Sequence, residues 1–224
     1  MKLITSRMPS KGFACTVEVL EVPPLNYGQV MEYAKAPSNY TELSNLLWDI
    51  DYLIKPLEGW EQLSSFDLFP ILCYRKLVTF NLKGKVNFLD GSSISLNDLE
   101  FSELSNDVLE IETIELGGEK YSPSIKSMRD FVTGLNICES KGISSVKLAC
   151  VGTYLGIPPE KLLSLTGEDI ALCERLYSKI LSHPQVTKEG GAEVILTGKA
   201  SDLFRYLSEL LKVTDSKIQF RKKL

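Results

Sequence analysis

The chain has one histidine, His183, among its 224 residues, and that scarcity excludes a good deal. A metal site built from several imidazoles cannot form within one chain, and any Ser-His-Asp or Cys-His arrangement would depend on a histidine standing beside Pro184. No C-x-x-C occurs, which removes the zinc ribbon. The five cysteines, Cys15, Cys73, Cys138, Cys150 and Cys173, are odd in number, scattered and mostly set among apolar neighbours; they read as buried thiols in a reducing compartment and not as a disulfide framework. No stretch approaches the roughly 18 continuous apolar residues of a membrane span. The start, MKLITSRMPSKG, lacks the apolar core of a secretion signal, so a soluble protein made in the cytoplasm is expected. Neither G-x-x-x-x-G-K-[ST] nor G-x-G-x-x-G is present. Gly117-Gly118 and Gly190-Gly191 therefore read as turns, and Gly198-Lys199-Ala200-Ser201 as a turn into a helix.

Positive charge is also short. Lys and Arg number 25 against 29 Asp and Glu, for a net charge of −4, which gives no general attraction to phosphate backbones. The basic tail Arg221-Lys222-Lys223 reads as a solvated end. Trp48, Trp60 and the nine tyrosines are spread along the chain with no basic groove pattern, so they read as core and interface aromatics and not as a base-stacking platform. No nucleic acid, membrane, cofactor, metal or small-molecule substrate is expected. What remains is ordinary globular usage, 44% apolar and 24% charged.

What is present is periodicity. FACTVEVLEV, from Phe13 to Val22, alternates with β-branched residues and stops at Pro23-Pro24, which predicts a strand. Helical patterns follow around Gln29 to Ala36 and from Thr41 to Ile54, the second with Leu43, Leu46, Leu47, Ile50 and Ile54 on one stripe. In DLFPILCYRKLVTF, Asp67 suits an N-cap, Pro70 falls in the first turn, and the spacing predicts a helix over 68–77. Arg75 and Lys76 then fall in its last turn, where cations oppose the partial negative charge of the terminal carbonyls by roughly 0.3–1 kcal/mol. On that reading, replacing both by Gln costs little stability.

From Val78 to Leu116 the period changes to two, predicting three or four short strands with Asp90-Gly91 as a hairpin turn. Its acids, Glu100, Glu103, Glu110, Glu112 and Glu115, read as the solvent face of half-buried strands and not as catalytic groups. After Gly117-Gly118 helices dominate: one from Pro123 with Ile125, Met128, Phe131, Val132 and Leu135 on a face, one over 144–155, one capped by Thr166 and Asp169, and one over 202–211. AEVILT is open between a strand and an apolar connection. The class is α+β: a mixed α/β part over 1–120 with a small antiparallel β-rich segment at about 78–116, then a helical subdomain over 121–224.

The lead ending MPSKG, the step VPPLNYGQVMEYA, the LLWDID helix core and DLFPILCYRK, in that order, resemble the T-even bacteriophage baseplate protein family. The likeness covers about the first 80 residues and thins from there. It implies a non-enzymatic role as a baseplate hub subunit or hub assembly factor, placed in the tail baseplate of the virion after assembly in the host cytoplasm, with other tail or baseplate proteins as partners. A tail-assembly chaperone for a tape-measure-like protein, absent from the finished particle, is the alternative. Under the resemblance Arg75, Lys76, Tyr74 and Tyr33 are candidate interface residues, and Lys11, within the stretch from Pro9 to Gly12, marks a second contact.

Overall fold

The computed structural model describes residues 2–8, 10, 12, 15–36, 40–80, 85–87, 93–95, 113–180, 185–187 and 193–195. The chain opens with β1 (Lys2–Ile4), paired antiparallel with β2 (Val19–Glu21) in a register that sets Ile4 opposite Val19. The alternating stretch is a ladder only over its last residues, because a strand needs a partner and β1 is short. Before it, the Thr16 amide turns away to the Gln62 carbonyl at 3.4 Å. The loop between the strands returns across the 59–67 segment, and Met8 is buried in the core.

Helix α1 (Tyr27–Tyr33) starts with a reciprocal capping box: the Asn26 side chain accepts from the Gln29 amide, and the Gln29 side chain from the Asn26 amide, both at 2.9 Å. Helix α2 (Glu42–Leu53) is capped by Thr41 and buries the expected Leu43, Leu46, Leu47 and Ile50 together with Leu53, while the expected Ile54, just past its end, is buried as well. A 3-10 turn (Ser65–Asp67) leads into α3 (Leu68–Phe80). This helix outruns its predicted end at Leu77. The alternation in Val78-Thr79-Phe80 suits a strand locally, but packing decides otherwise: Val78 lies against the core, and the Thr79 hydroxyl accepts from the Leu25 amide at 3.1 Å.

The β-rich expectation survives in part. β3 (Lys85–Asn87) pairs antiparallel with β4 (Ser93–Ser95), with Asn87 opposite Ser93 on either side of Asp90-Gly91. β5 (Ile114–Leu116) and β6 (Glu119–Tyr121) form a second hairpin, turned by Gly117 and Gly118 at φ 57° and 77°, a conformation that glycine adopts without a Cβ penalty. Glu115 faces solvent, while Glu100, Glu103, Glu110 and Glu112 lie outside the described residues.

Helix α4 (Met128–Ser140) begins five residues after Pro123, capped by Ser127, whose hydroxyl accepts from the Asp130 amide at 3.1 Å. The intervening chain is held extended by the 63–65 segment: the Met128 amide reaches the Leu63 carbonyl at 2.7 Å and the Ser65 amide the Lys126 carbonyl at 3.1 Å. Helix α5 (Val146–Leu155) ends in a Schellman motif, with Gly156 at φ 68° and Ile157 donating back to the Gly152 carbonyl at 2.8 Å. The short α6 (Pro159–Leu162) is followed by α7 (Gly167–Ile180), capped by Thr166 and Asp169 as their spacing predicts. β7 (Gln185–Thr187) pairs with β8 (Glu193–Ile195), so the described part of AEVILT is a strand. His183 and the helix expected over 202–211 lie outside the described residues.

The architecture is α+β, built from a helical body and two-stranded antiparallel ribbons. Helix α2 packs on α3, α4 and α5, and α5 packs in turn on α4 and α7. The buried apolar residues form one cluster that includes Leu3 and Leu20 as well as Cys173 and Tyr177. A boundary at residue 120 would cut β6 and part the bridge between Ser64 and Ser127, so the described halves share one core. Cys138, Cys150 and Cys173 are buried free thiols, as expected, and Cys15 is half-buried. Among the described residues no helix is long and apolar enough to cross a membrane.

Two glycines set the helix spacing. A Cβ on Gly134 would collide with the Thr153 side chain, and one on Gly152 with Leu162, whereas one on Gly167 meets nothing within 4 Å. Gly134→Ala should therefore cost about 1–2 kcal/mol, overpacking outweighing the gain in helix propensity. Gly167→Ala should be neutral or stabilise by up to about 1 kcal/mol. Urea denaturation midpoints at constant slope would check both signs.

Candidate functional site

Of the residues marked out in the sequence, Tyr74, Arg75 and Lys76 lie on α3, Tyr33 is tied to that helix through Asp49, and all four face the interior. Tyr33 ends α1, Asp49 lies on α2 beside the buried Ile50, and Lys76 is on α3. The Tyr33 hydroxyl donates to Asp49 Oδ1 at 2.6 Å, and Lys76 Nζ approaches Asp49 Oδ2 at 2.6 Å. One carboxylate thus joins three helices, each oxygen answered by a different helix. Burial, with the Asp49 charge beside it, pushes the Tyr33 hydroxyl far above the ordinary tyrosine range. Around this centre Trp48 donates its indole N–H to the Tyr33 carbonyl at 3.0 Å, and the Trp48 and Tyr52 rings pack with centroids 4.7 Å apart.

Arg75 serves a neighbour. Its Nη1 donates to the carbonyl of Leu53, the last residue of α2, at 2.8 Å. That carbonyl is among the four that a helix end leaves without an intrahelical partner, and a cation there also meets the negative end of the helix dipole. The physics expected from sequence holds for Arg75, but on α2 and not on its own helix, which continues to Phe80. Burial pulls the guanidinium below its usual range, and its Nε has no hydrogen-bond partner among the described residues.

A third contact ties the N-terminal loop to the start of α3. Asp67 is completely buried, and Ser10 donates to it twice, the amide to Oδ1 at 3.0 Å and the hydroxyl to Oδ2 at 2.6 Å. Asp67 is therefore not the N-cap of α3 that its position suggests, since Ser64 caps the turn before it. Burial raises the Asp67 carboxyl from 3.8 to about 6, with the two Ser10 hydrogen bonds acting in the opposite direction. Nearby, the hydroxyls of Ser65 and Tyr154 lie 3.0 Å apart, and the Tyr154 ring stacks on Phe66 with centroids 5.2 Å apart.

These positions correct the expectation of an interface. Arg75, Tyr74 and Tyr33 are 2%, 1% and 0% exposed, too deep for a partner to touch, and Lys76 is largely buried in its pair with Asp49. Lys11 and Pro9 lie outside the described residues, but Ser10 between them is buried against Asp67. The structure brings Tyr33 and Lys76 together through Asp49, which sequence reasoning passed over. Its signal was an acid at a helix position beside a core isoleucine, where an unanswered charge is too costly to persist. The apolar groups that do meet solvent are elsewhere: Tyr27 at 74% and Leu163 at 61% stand out, with Ile4 and Val19 forming an exposed cross-strand pair on the β1–β2 ribbon. Among the described residues no group of three or more His, Cys, Asp or Glu side chains is placed to hold a metal ion.

The mild outcome expected from replacing both basic residues is reversed. Arg75→Gln with Lys76→Gln should cost about 2–5 kcal/mol, because it strands the Asp49 carboxylate and the Leu53 carbonyl. Adding Asp49→Asn should recover part of that loss, a non-additivity that a double-mutant cycle by urea denaturation would measure. No protein-family model matches this chain, and no curated protein or solved structure matches it.

Proposed function

We propose that this chain is a non-enzymatic protein of a contractile bacteriophage tail, acting through protein–protein contacts as a baseplate hub subunit or a factor that helps assemble the hub. What supports the reading is the mutual contact of the motifs behind the resemblance. The P-S-K-G lead meets the D-L-F segment through Ser10 and Asp67. M-E-Y-A, L-L-W-D-I-D and Y-R-K meet through Tyr33, Asp49 and Lys76. Motifs scattered over about 80 residues are thus partners within one packing unit.

On this reading the contacts to other tail proteins lie on the outer surface. Tyr27 is the large apolar side chain left exposed in the P-L-N-Y-G step and combines an apolar ring with a polar tip, the composition favoured at interfaces. Mass spectrometry of purified particles should find this chain at a fixed ratio to known baseplate subunits. Its absence from particles, together with recovery of a tape-measure-like protein in a pull-down from infected cells, would favour the chaperone reading. Absence from particles with no tail protein in the pull-down would remove both. Tyr27→Ala should weaken that capture while leaving the urea midpoint within about 0.5 kcal/mol of the original protein.

A further inference from the structure

We propose that the exposed face of the β1–β2 ribbon is where two copies of this chain meet, stacked face to face about a twofold axis parallel to the strands. Alternation along the strands makes the ribbon two-sided. Leu3 and Leu20 are buried in the core, so Lys2, Ile4, Val19 and Glu21 share the opposite face. Ile4 and Val19 stand directly across from each other and are 41% and 45% exposed. A single exposed aliphatic side chain is ordinary, but two β-branched ones in cross-strand register make one continuous apolar surface. Lys2 and Glu21 form the other cross-strand pair of this face, with Lys2 Nζ 3.3 Å from Glu21 Oε1 and both side chains mostly exposed.

The charge pattern identifies the occupant. Seen from outside, the face is a rectangle, with the cation and the acid at one end and the two aliphatic side chains at the other; each pair has one member on β1 and one on β2. A half-turn about an axis parallel to the strands exchanges β1 for β2 and keeps the ends in place. It sets Lys2 over Glu21 of the partner subunit and Ile4 over Val19 of the partner subunit, each contact being made twice. A half-turn about the perpendicular axis in the same plane would lay the charged end on the apolar end. The face is therefore complementary to itself in one orientation. Exposed ion pairs add little cohesion, so the charges select that orientation and the aliphatic pairs hold it.

The size of the face sets the strength of the contact. Four side chains from each copy cover far less than the roughly 1,200–2,000 Å² of a standard stable interface, so the dimer is weak and depends on concentration. Holding several copies close together on a larger assembly would supply that concentration locally. The inference does not depend on the tail reading, since it uses only the ribbon and its register.

Sedimentation velocity of the full chain over a wide range of concentration tests this. The weight-average mass should rise toward that of two chains, and a mass that stays at one chain throughout would overturn the proposal. Lys2→Glu alone and Glu21→Lys alone should each weaken association about tenfold, because each sets like charges against one another twice per dimer. Mixing the two variants should restore association, since the acids of one then face the lysines of the other. The like-charge pair within each chain is unchanged by mixing, so recovery reports a contact between copies, and its absence would count against the dimer. Association that survives Ile4→Ser with Val19→Ser would place the contact elsewhere and remove the ribbon as its site. Capture of a different protein through Val19 by a chain that stays monomeric would remove the second copy as occupant.

Discussion

A carboxylate placed among packed helices has to be met by donors on more than one side, and Asp49 is met by two. Tyr33 reaches one oxygen from α1, and Lys76 reaches the other from α3. Because each oxygen is taken by a different helix, the angle between α1 and α3 is set by the fork of a single side chain on α2. Arg75, one residue from Lys76, closes the end of α2 one turn beyond Asp49 by taking the Leu53 carbonyl. Three of the N-terminal helices are thus referred to two adjacent basic residues and one acid. Apolar burial supplies the cohesion, but it is non-directional, and these bonds fix which arrangement of the stripes is adopted.

Much of the element pattern was legible because it is written locally. Thr41, Thr166 with Asp169, and the stop at Gly156 are all decided within one turn of the chain, and the helices they bound sit where the spacing puts them. The errors fall where a distant segment intervenes. Val78-Thr79-Phe80 alternates like a strand yet stays helical against the Leu25 amide, and the chain after Pro123 stays extended because Leu63 and Ser65 bond to it. The basic pair was misread for the same reason. Nothing in the order of residues reveals that the carbonyl awaiting Arg75 belongs to a helix 22 positions away.

Burial also changes what a recurring motif means. Short patterns rich in Tyr, Arg and Lys invite interpretation as contact surfaces, since those residues are frequent at interfaces. In this fold the same patterns are its interior fittings, and the residues open to partners, Tyr27 and the Ile4–Val19 pair, are carried by less distinctive sequence.

Helix α5 carries an implication of its own. From Ala149 to Leu155 every residue is buried, so beyond its first turn, where Lys147 meets solvent, this helix has no face to turn to water. It cannot stand as an independent layer, and with Gly134 and Gly152 drawing its neighbours in to backbone distance there is little slack through which one could slide. The surrounding helices therefore gain or lose their order together with it, which makes the helical body one cooperative unit and not a stack able to shed an outer member.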